Sequence, residues 1–243
     1  MLYYFLGFCY DSILFVIDNS ADNSLEELCN HSRIQYIFNN ANLGFGAAHN
    51  IAFKKAFKLN SIYHILLNPD VHFDSAIIED LIKKANSDST IGLLMPKIEY
   101  PNGTTQHLCK LLPSPKDLII RRFLPFKSIK KRLENRYELR FFSYNSEVEI
   151  PVLSGCFSVI RTSVLRNVAG FDERFFMYLE DVDLCRRIGK ISTLIYYPKV
   201  KIVHNYEKGS YKNKKLLLYH VKSAFQYFNK WGWFFDSDRS RIN

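Results

Sequence analysis

The chain has 243 residues, with 33 lysines and arginines against 24 acids and a net charge of +9. Its 47% hydrophobic and 15% aromatic content excludes a disordered chain and provides one α/β domain with a full core. The five cysteines (Cys9, Cys29, Cys109, Cys156, Cys185) form no C-x-x-C pair, which excludes a zinc knuckle or disulfide framework and fits a reduced cytoplasmic setting, while the positive charge calls for an anionic partner.

The opening Met1–Cys9 is apolar but lacks a basic start and a small-residue cleavage site, so it does not read as a signal peptide. No run of about 18 uncharged apolar residues is present to span a bilayer. Ser12–Ile17 is a continuous β-branched and aromatic run that empties into Asp18-Asn19-Ser20, as a buried strand does at the ligand side of a parallel sheet. Asp18 reads either as a turn residue or as a hydrogen-bonding partner of a nucleotide base or ribose. Ser24 predicts a helix cap for a segment through Cys29, with Glu27 as its capping-box partner. Arg33–Phe38 is a second strand. Asn42-Leu43-Gly44-Phe45-Gly46 then opens a helix to about Leu59, and a Gly-x-Gly turn at a helix start can bring N–H groups to a phosphate or ribose. His49 stands where a dinucleotide fingerprint has its third glycine, which rejects a Rossmann dehydrogenase.

Tyr63–Leu67 is a third strand, stopped by Pro69 in Asn68-Pro69-Asp70. Asp70 at the strand end suits magnesium or manganese, which take one or two carboxylates plus substrate phosphates, but such acids also form turns. Asp74–Asn86 is an amphipathic helix with Ile77, Ile78, Leu81 and Ile82 inward. Ile91–Met95 is a strand ended by Pro96, and Lys97–Gln106 a hairpin turning at Pro101-Asn102-Gly103. The basic stretch 113–148 reads as a solvated helical face or as a segment lying on an anionic membrane. Gly155, within a strand pattern, marks the close approach of a ligand, or a glycine packed under the loop at Glu180. Thr193–Tyr197, ended by Pro198, and Val200–Val203 are two further strands, and a lone His204 after them is ordinarily a packed or surface residue. Leu216–Phe235 is an amphipathic helix with Leu217, Val221, Ala224 and Phe228 on one stripe. Its Trp231 and Trp233 suit either a membrane interface or packing against the domain.

Residues 171–187 read Phe-Asp-Glu-Arg-Phe-Phe-Met-Tyr-Leu-Glu-Asp-Val-Asp-Leu-Cys-Arg-Arg. An apolar run leading into Glu180-Asp181 desolvates those carboxyls, which suits proton transfer, while acids in a first helical turn also suit the helix dipole. The residues alone leave general base and structural cap open. Asp183 and Arg187 are spaced to pair on one face, and Leu184 and Ile188 to pack.

This stretch resembles the acceptor-side motif of bacterial family 2 glycosyltransferases, nearest to the rhamnosyltransferase-like members that build O-antigen and capsule. The resemblance covers about residues 2–242. It implies a GT-A (Rossmann-like) α/β fold: a mixed, mostly parallel sheet flanked by helices, with a C-terminal amphipathic helical segment. The first strand of the family has no counterpart, because the chain starts near the end of the helix that follows it. The division is then a shortened catalytic domain over 1–205 and a helical extension over 206–243. By the same resemblance, Asp181 is the catalytic base and Glu180 its support. Asp18 and Asn19, the Asn42, Gly44, Gly46 and Asn50 loop, Asn68 and Gly155 contact the nucleotide sugar. Asn-Pro-Asp looks like the family's Asp-x-Asp motif with Asn68 in place of the first acid, so Asp70, with His204, would hold Mg²⁺ or Mn²⁺. The implied reaction is inverting transfer of a sugar, by best match rhamnose from dTDP-rhamnose, to a polyprenyl-diphosphate-linked saccharide at the inner face of the cell membrane. The alternatives are an inactive, shortened binding protein and the same enzyme type using another nucleotide sugar. No helix-turn-helix or RNP-like motif supports a nucleic-acid partner.

Overall fold

The computed structural model describes residues 11–120, 125–205 and 213–243; the expected helix end at Leu2–Tyr10, Cys9, and the bases Arg121 and Arg122 lie outside them. Strand β1 (Leu14–Asp18) pairs in parallel with β2 (Ile34–Phe38), Asp18 opposite Phe38. A single 3-10 turn, Glu26–Cys29, joins them. The expected Ser24–Glu27 capping box does not form: Asp22 accepts the Ser24 N–H and Asn23 donates to Glu26. These short side chains bond locally and hold a turn where a longer helix would need a cap.

From β2 the chain enters α1 (Phe45–Lys58), which turns Ala48, Ala52, Phe53 and Ala56 inward at helical spacing, and then β3 (Tyr63–Leu67). Strand β3 is the edge of a six-stranded mixed sheet in the order β3, β7 (Phe157–Arg161), β5 (Ile91–Glu99), β8 (Thr193–His204), β4 (Val71–His72), with β6 (Val148–Glu149) also on β8. β5 and β8 run parallel, and the other pairs are antiparallel. The central strands are covered on both faces and accordingly read as continuous apolar runs: Leu93, Leu94 and Met95 of β5 and Phe157, Val159 and Ile160 of β7 are buried. Helix α2 (Ala76–Ser87) lays Ile78, Leu81 and Ala85 on this core, with Ile77 and Ile82 partly buried beside them, and α4 (Thr162–Asn167), directly after β7, adds Val164 and Leu165. Truncating a side chain such as Leu94 to alanine here costs about 2–5 kcal/mol.

The two prolines expected to end strands do not. β5 continues through Pro96 to Glu99, and β8 continues through Pro198 to His204. Both prolines sit at one irregularity, where Pro96 pairs with Tyr197 but Lys97 pairs with Lys201. The ladder is already broken there, so neither missing N–H is needed. The hairpin at 100–104 forms as expected, with Gly103 at φ 79° donating to Tyr100 O.

A second, smaller core joins Leu112 and Leu118, Tyr137 at the end of α3 (Lys127–Tyr137), Phe175, Leu179 and Val182 to Ala224, Tyr227 and Phe228 of α6 (Lys214–Trp231). The basic stretch thus contributes one π-type turn (Lys116–Ile120) and one helix that buries Tyr137 but leaves Phe126 and Ile129 exposed. Asn213 caps α6 by accepting the N–H groups of Lys215 and Leu216. Trp231 and Trp233 pack on this core, whereas Phe234 and Phe235 stay exposed. Of the expected stripe, Ala224 and Phe228 are fully buried, while Leu217 and Val221 are half-buried.

Candidate active site

Residues 171–179 fold back over the start of α1. The Phe45 N–H donates to Phe176 O at 3.0 Å, and a Cβ on Gly44, whose φ is 89°, would lie 2.4 Å from that oxygen. A Cβ on Gly46 would lie 2.9 Å from Phe171 Cβ. Both glycines, expected at the nucleotide, are therefore required by the approach of this loop. Asn50, also expected at the nucleotide, is a buried strut. Its amide donates to Phe171 O at 2.9 Å and Glu173 Oε1 at 2.8 Å, and its oxygen accepts the Phe171 N–H at 2.8 Å. With its amide bonded inside the protein, Asn50 supports the loop.

The loop ends on Tyr178 and Leu179, both left-handed at φ 71° and 65°. Two successive non-glycine residues in that region cost on the order of 1–3 kcal/mol each, and persist only where the surroundings over-determine them. Here Leu179 is buried in the second core and Ser223 Oγ donates to Met177 O at 2.8 Å. The turn delivers the chain into α5 (Glu180–Ile188) with Glu180 and Asp181 in its first turn. Gly155 lies just before β7 rather than within a strand, and its N–H donates to Asp181 Oδ2 at 3.3 Å, while the Val182 N–H donates to Oδ1 at 2.8 Å. A Cβ on Gly155 would come within 3.3 Å of Asp181 Cβ, so this glycine packs directly beneath the Glu180-Asp181 turn. Asp181 remains half-exposed. Glu180 is buried and its Oε2 has no hydrogen-bond partner. Burial, followed by the neighbouring Asp181 charge, pushes the Glu180 carboxyl well above the usual range.

The far side of α5 is bolted to the C-terminal helices. Asp183 is fully buried and accepts from Arg187 Nε at 2.8 Å and Trp231 Nε1 at 2.8 Å, with Lys230 Nζ at 2.7 Å. Arg186 is sandwiched between Tyr227 and Asp236, which begins α7 (Ser237–Ile242), and its guanidinium stacks 4.1 Å over the Trp231 ring. Asp172, at the loop's start, is held well below the usual carboxylate range by Arg174 first and by Lys230.

On the opposite side of Gly155-Cys156 lies a second polar pair. Cys156 O accepts the Asn68 N–H at 2.9 Å, which anchors the Asn68-Pro69-Asp70 turn. Val71 then pairs with His204 across β4 and β8, and Asp70 Oδ2 faces His204 Nε2 at 3.3 Å. Burial keeps His204 below its ordinary range against the pull of Asp70. A carboxylate and an imidazole on neighbouring strand ends form a nitrogen–oxygen donor set that fits Mg²⁺ or Mn²⁺. Among the described residues no cluster of three such ligands exists, so substrate phosphates would complete the coordination. Two residues, Gly155 and Cys156, thus tie Asp181 to Asp70 and His204.

The β1–β2 edge carries the remaining expected contacts. Asp18 accepts from Ser20 N at 2.8 Å and Tyr36 Oη at 2.7 Å. Burial opposes its charge, but these bonds outweigh it and hold the carboxyl below its ordinary range. Asn39 donates to Asn19 Oδ1 at 2.8 Å, Asn19 donates to Gly44 O at 3.3 Å, and Asn42 Oδ1 accepts the Gly44 N–H at 3.0 Å. These side chains join the edge to the start of α1. Sequence reasoning missed Tyr36, Gln106, Lys230 and Trp231. Each acts on a partner 18 to 98 residues away, so no local spacing announces it.

Residues 9–169 match the profile of Glycosyl transferase family 2. Among curated proteins, N-acetylglucosaminyl-diphospho-decaprenol L-rhamnosyltransferase of Mycobacterium tuberculosis is 28% identical over 80% of the chain and 66% of its own length. Rhamnosyltransferase WbbL of Escherichia coli is 27% identical over 88% of the chain and 81% of its own length. The chain thus spans about two thirds of the mycobacterial relative. Among solved structures, GalNAc-T7 with UDP, GalNAc and Mn²⁺ superposes with a TM-score of 0.62 at 16% identity, over 85% of this chain and 40% of that one. The mannosyltransferase PcManGT of Pyrobaculum calidifontis, with GDP-Man and Mn²⁺, superposes at 0.55 and 14% identity, over 93% and 59%. At these identities the structural likeness establishes the fold.

Proposed function

The chain belongs to glycosyl transferase family 2, and from that premise we propose that it is an inverting glycosyltransferase working on a nucleotide-diphosphate sugar and a lipid-linked saccharide. The observation that carries this reading is the Gly155-Cys156 bridge between Asp181 and the Asp70–His204 pair. It sets a proton acceptor beside a site for a diphosphate and its cation. Asp70 and His204 would hold Mg²⁺ or Mn²⁺, which supplies Lewis-acid neutralisation of the departing diphosphate. Asp181, fixed by the N–H groups of Gly155 and Val182, takes the proton of the acceptor hydroxyl. The acceptor oxygen bonds to the anomeric carbon on one face as the diphosphate leaves from the other. Buried Glu180, its carboxyl pushed above the ordinary range, backs half-exposed Asp181, so adjacent carboxyls in different environments have different roles. Asp18, Asn19 and Asn42 line the edge that would meet the nucleotide.

The names of the two curated relatives favour rhamnose, hence dTDP-rhamnose, and a polyprenyl-diphosphate-linked acceptor. Exposed Phe126, Leu218, Phe234 and Phe235 with the lysines of α3 support contact with an anionic membrane surface at the cytoplasmic face. Among the described residues no helix is long and apolar enough to cross a membrane.

The test is turnover of dTDP-rhamnose with a polyprenyl-diphosphate N-acetylglucosamine acceptor, with Mn²⁺ and with EDTA. Transfer that EDTA abolishes supports the whole reading. Turnover of a different nucleotide sugar overturns the donor alone. No binding of any nucleotide sugar overturns the activity.

A further inference from the structure

Gln106 follows the 100–104 hairpin and is buried, and both ends of its amide reach His204. Its amide nitrogen donates to His204 O at 2.7 Å and to Glu99 O at 3.3 Å, and its oxygen lies 3.1 Å from His204 Nδ1. Reversing the amide would point its oxygen at two carbonyls, so the orientation is chemically forced. With an acceptor oxygen facing it, Nδ1 must carry a proton. The neutral ring then has its lone pair on Nε2, and Nε2 is the nitrogen 3.3 Å from Asp70 Oδ2. Two lone pairs that close repel unless a proton or a cation lies between them.

We infer that Gln106 is a positioning residue: it selects the Nδ1–H tautomer of His204 and so turns Nε2 into a cation ligand opposite Asp70. The same side chain also grips the main chain of His204, fixing the ring's position as well as its tautomer. Metal-ligating histidines ordinarily have their second nitrogen held by an outer acceptor, and losing that acceptor weakens metal binding about 10–100-fold. Here the acceptor is a neutral amide, which adds no charge to the site. The inference rests on the cation reading of Asp70 and His204, but part of its test does not.

The first measurement is the ¹⁵N spectrum of the His204 ring in the metal-free protein at pH 8, assigned by comparison with His204→Asn. A protonated Nδ1 and unprotonated Nε2 are expected, and a ring protonated on Nε2 alone overturns the inference whatever the metal does. The second is Mn²⁺ affinity with dTDP present, read by electron paramagnetic resonance of free Mn²⁺. Gln106→Leu should weaken it at least tenfold. Gln106→Glu, whose protonated carboxyl still accepts from Nδ1 and donates to His204 O, should stay within about threefold of the wild type. Wild-type binding that Asp70→Asn removes but Gln106→Leu leaves unchanged overturns this inference and spares the cation site. A wild-type protein that takes up no Mn²⁺ overturns both.

Discussion

The β1–β2 edge and the 171–188 motif both present acids at the ends of apolar segments, yet they are built in opposite ways. The edge is a two-stranded ladder whose polar residues bond within it and to the start of α1: Asp18 to Ser20 and Tyr36, Asn19 to Asn39 and Gly44. The motif is held from the far end of the chain, by Ser223, Lys230, Trp231 and Asp236. Its backbone is strained at Tyr178 and Leu179, and the buried network around Asp183 and Arg186 keeps that strain in place. A local, half-exposed edge can adjust to a ligand. A strained turn that sets a proton acceptor needs a rigid frame, and the frame here is α6 and α7.

Asp181→Asn should separate chemistry from frame most sharply. Transfer should fall by about 10³-fold, within the range for removing a general base, while the thermal midpoint stays within a degree or two. A variant that transfers sugar at the wild-type rate would remove Asp181 from the mechanism. Next in size, Arg186→Met leaves buried Asp236 with only Arg239, whose guanidinium lies 3.7 Å away, and should cost about 3 kcal/mol in urea unfolding. Activity should fall with it, because α7 then releases α5. An equal loss of stability with full activity would show that the frame does not hold the turn.

Acid should attack the motif's underside before the edge. Phe45, His49, Phe53, His64 and Phe171 form one ring cluster beneath the loop, with Phe53 edge-on to His64 at 4.5 Å and stacked on Phe171 at 5.6 Å. Burial lowers His49 to about 4, and burial, then the charge of His49, lowers His64 to about 3. Both folded values lie below the ordinary value near 6.5, so the unfolded chain takes up protons first as the pH drops. Their contribution is therefore complete above about pH 6.5 and fades between there and about pH 3, by on the order of a few kcal/mol. His64→Leu should flatten that slope in urea midpoints measured at pH 7 and 4.5, and an unchanged slope would exclude His64 as a source. The smallest effect belongs to the edge: Asp18→Asn should weaken nucleotide-sugar binding several-fold by calorimetry and cost about 1 kcal/mol of stability. Unchanged affinity would place the nucleotide elsewhere.

What could be read from the sequence follows the range of the forces involved. Strands β1, β2 and β3 and helices α1 and α2 announce themselves by periodicity, and the Asp183–Arg187 pair by helical spacing. The prolines mislead because Pro96 and Pro198 are punctuation only in an intact ladder, and the break that tolerates them exists only once β5 and β8 are paired. The glycines answer to distant atoms for a related reason. Gly44 and Gly46 look like a phosphate cradle locally, but the atoms that forbid a side chain there belong to Phe176 and Phe171. Asp18, Asp70, Asp181 and His204 were legible as types at strand ends and a helix start, whereas Gln106 and Trp231 acquire roles only through distant partners.

The broken ladder between β5 and β8 also constrains how the chain can change length. Residues 198–200 have no partner opposite, between the pairs Pro96–Tyr197 and Lys97–Lys201. Because side chains alternate along a strand, deleting one of the three would send His204 to the opposite face and Val203 to Asp70. Removing two would keep His204 on its present face but pull it along the strand. This stretch, exposed at Lys199 but buried at Val200, therefore acts as a spacer of fixed parity, more sensitive to single-codon insertions or deletions than to substitution of Lys199.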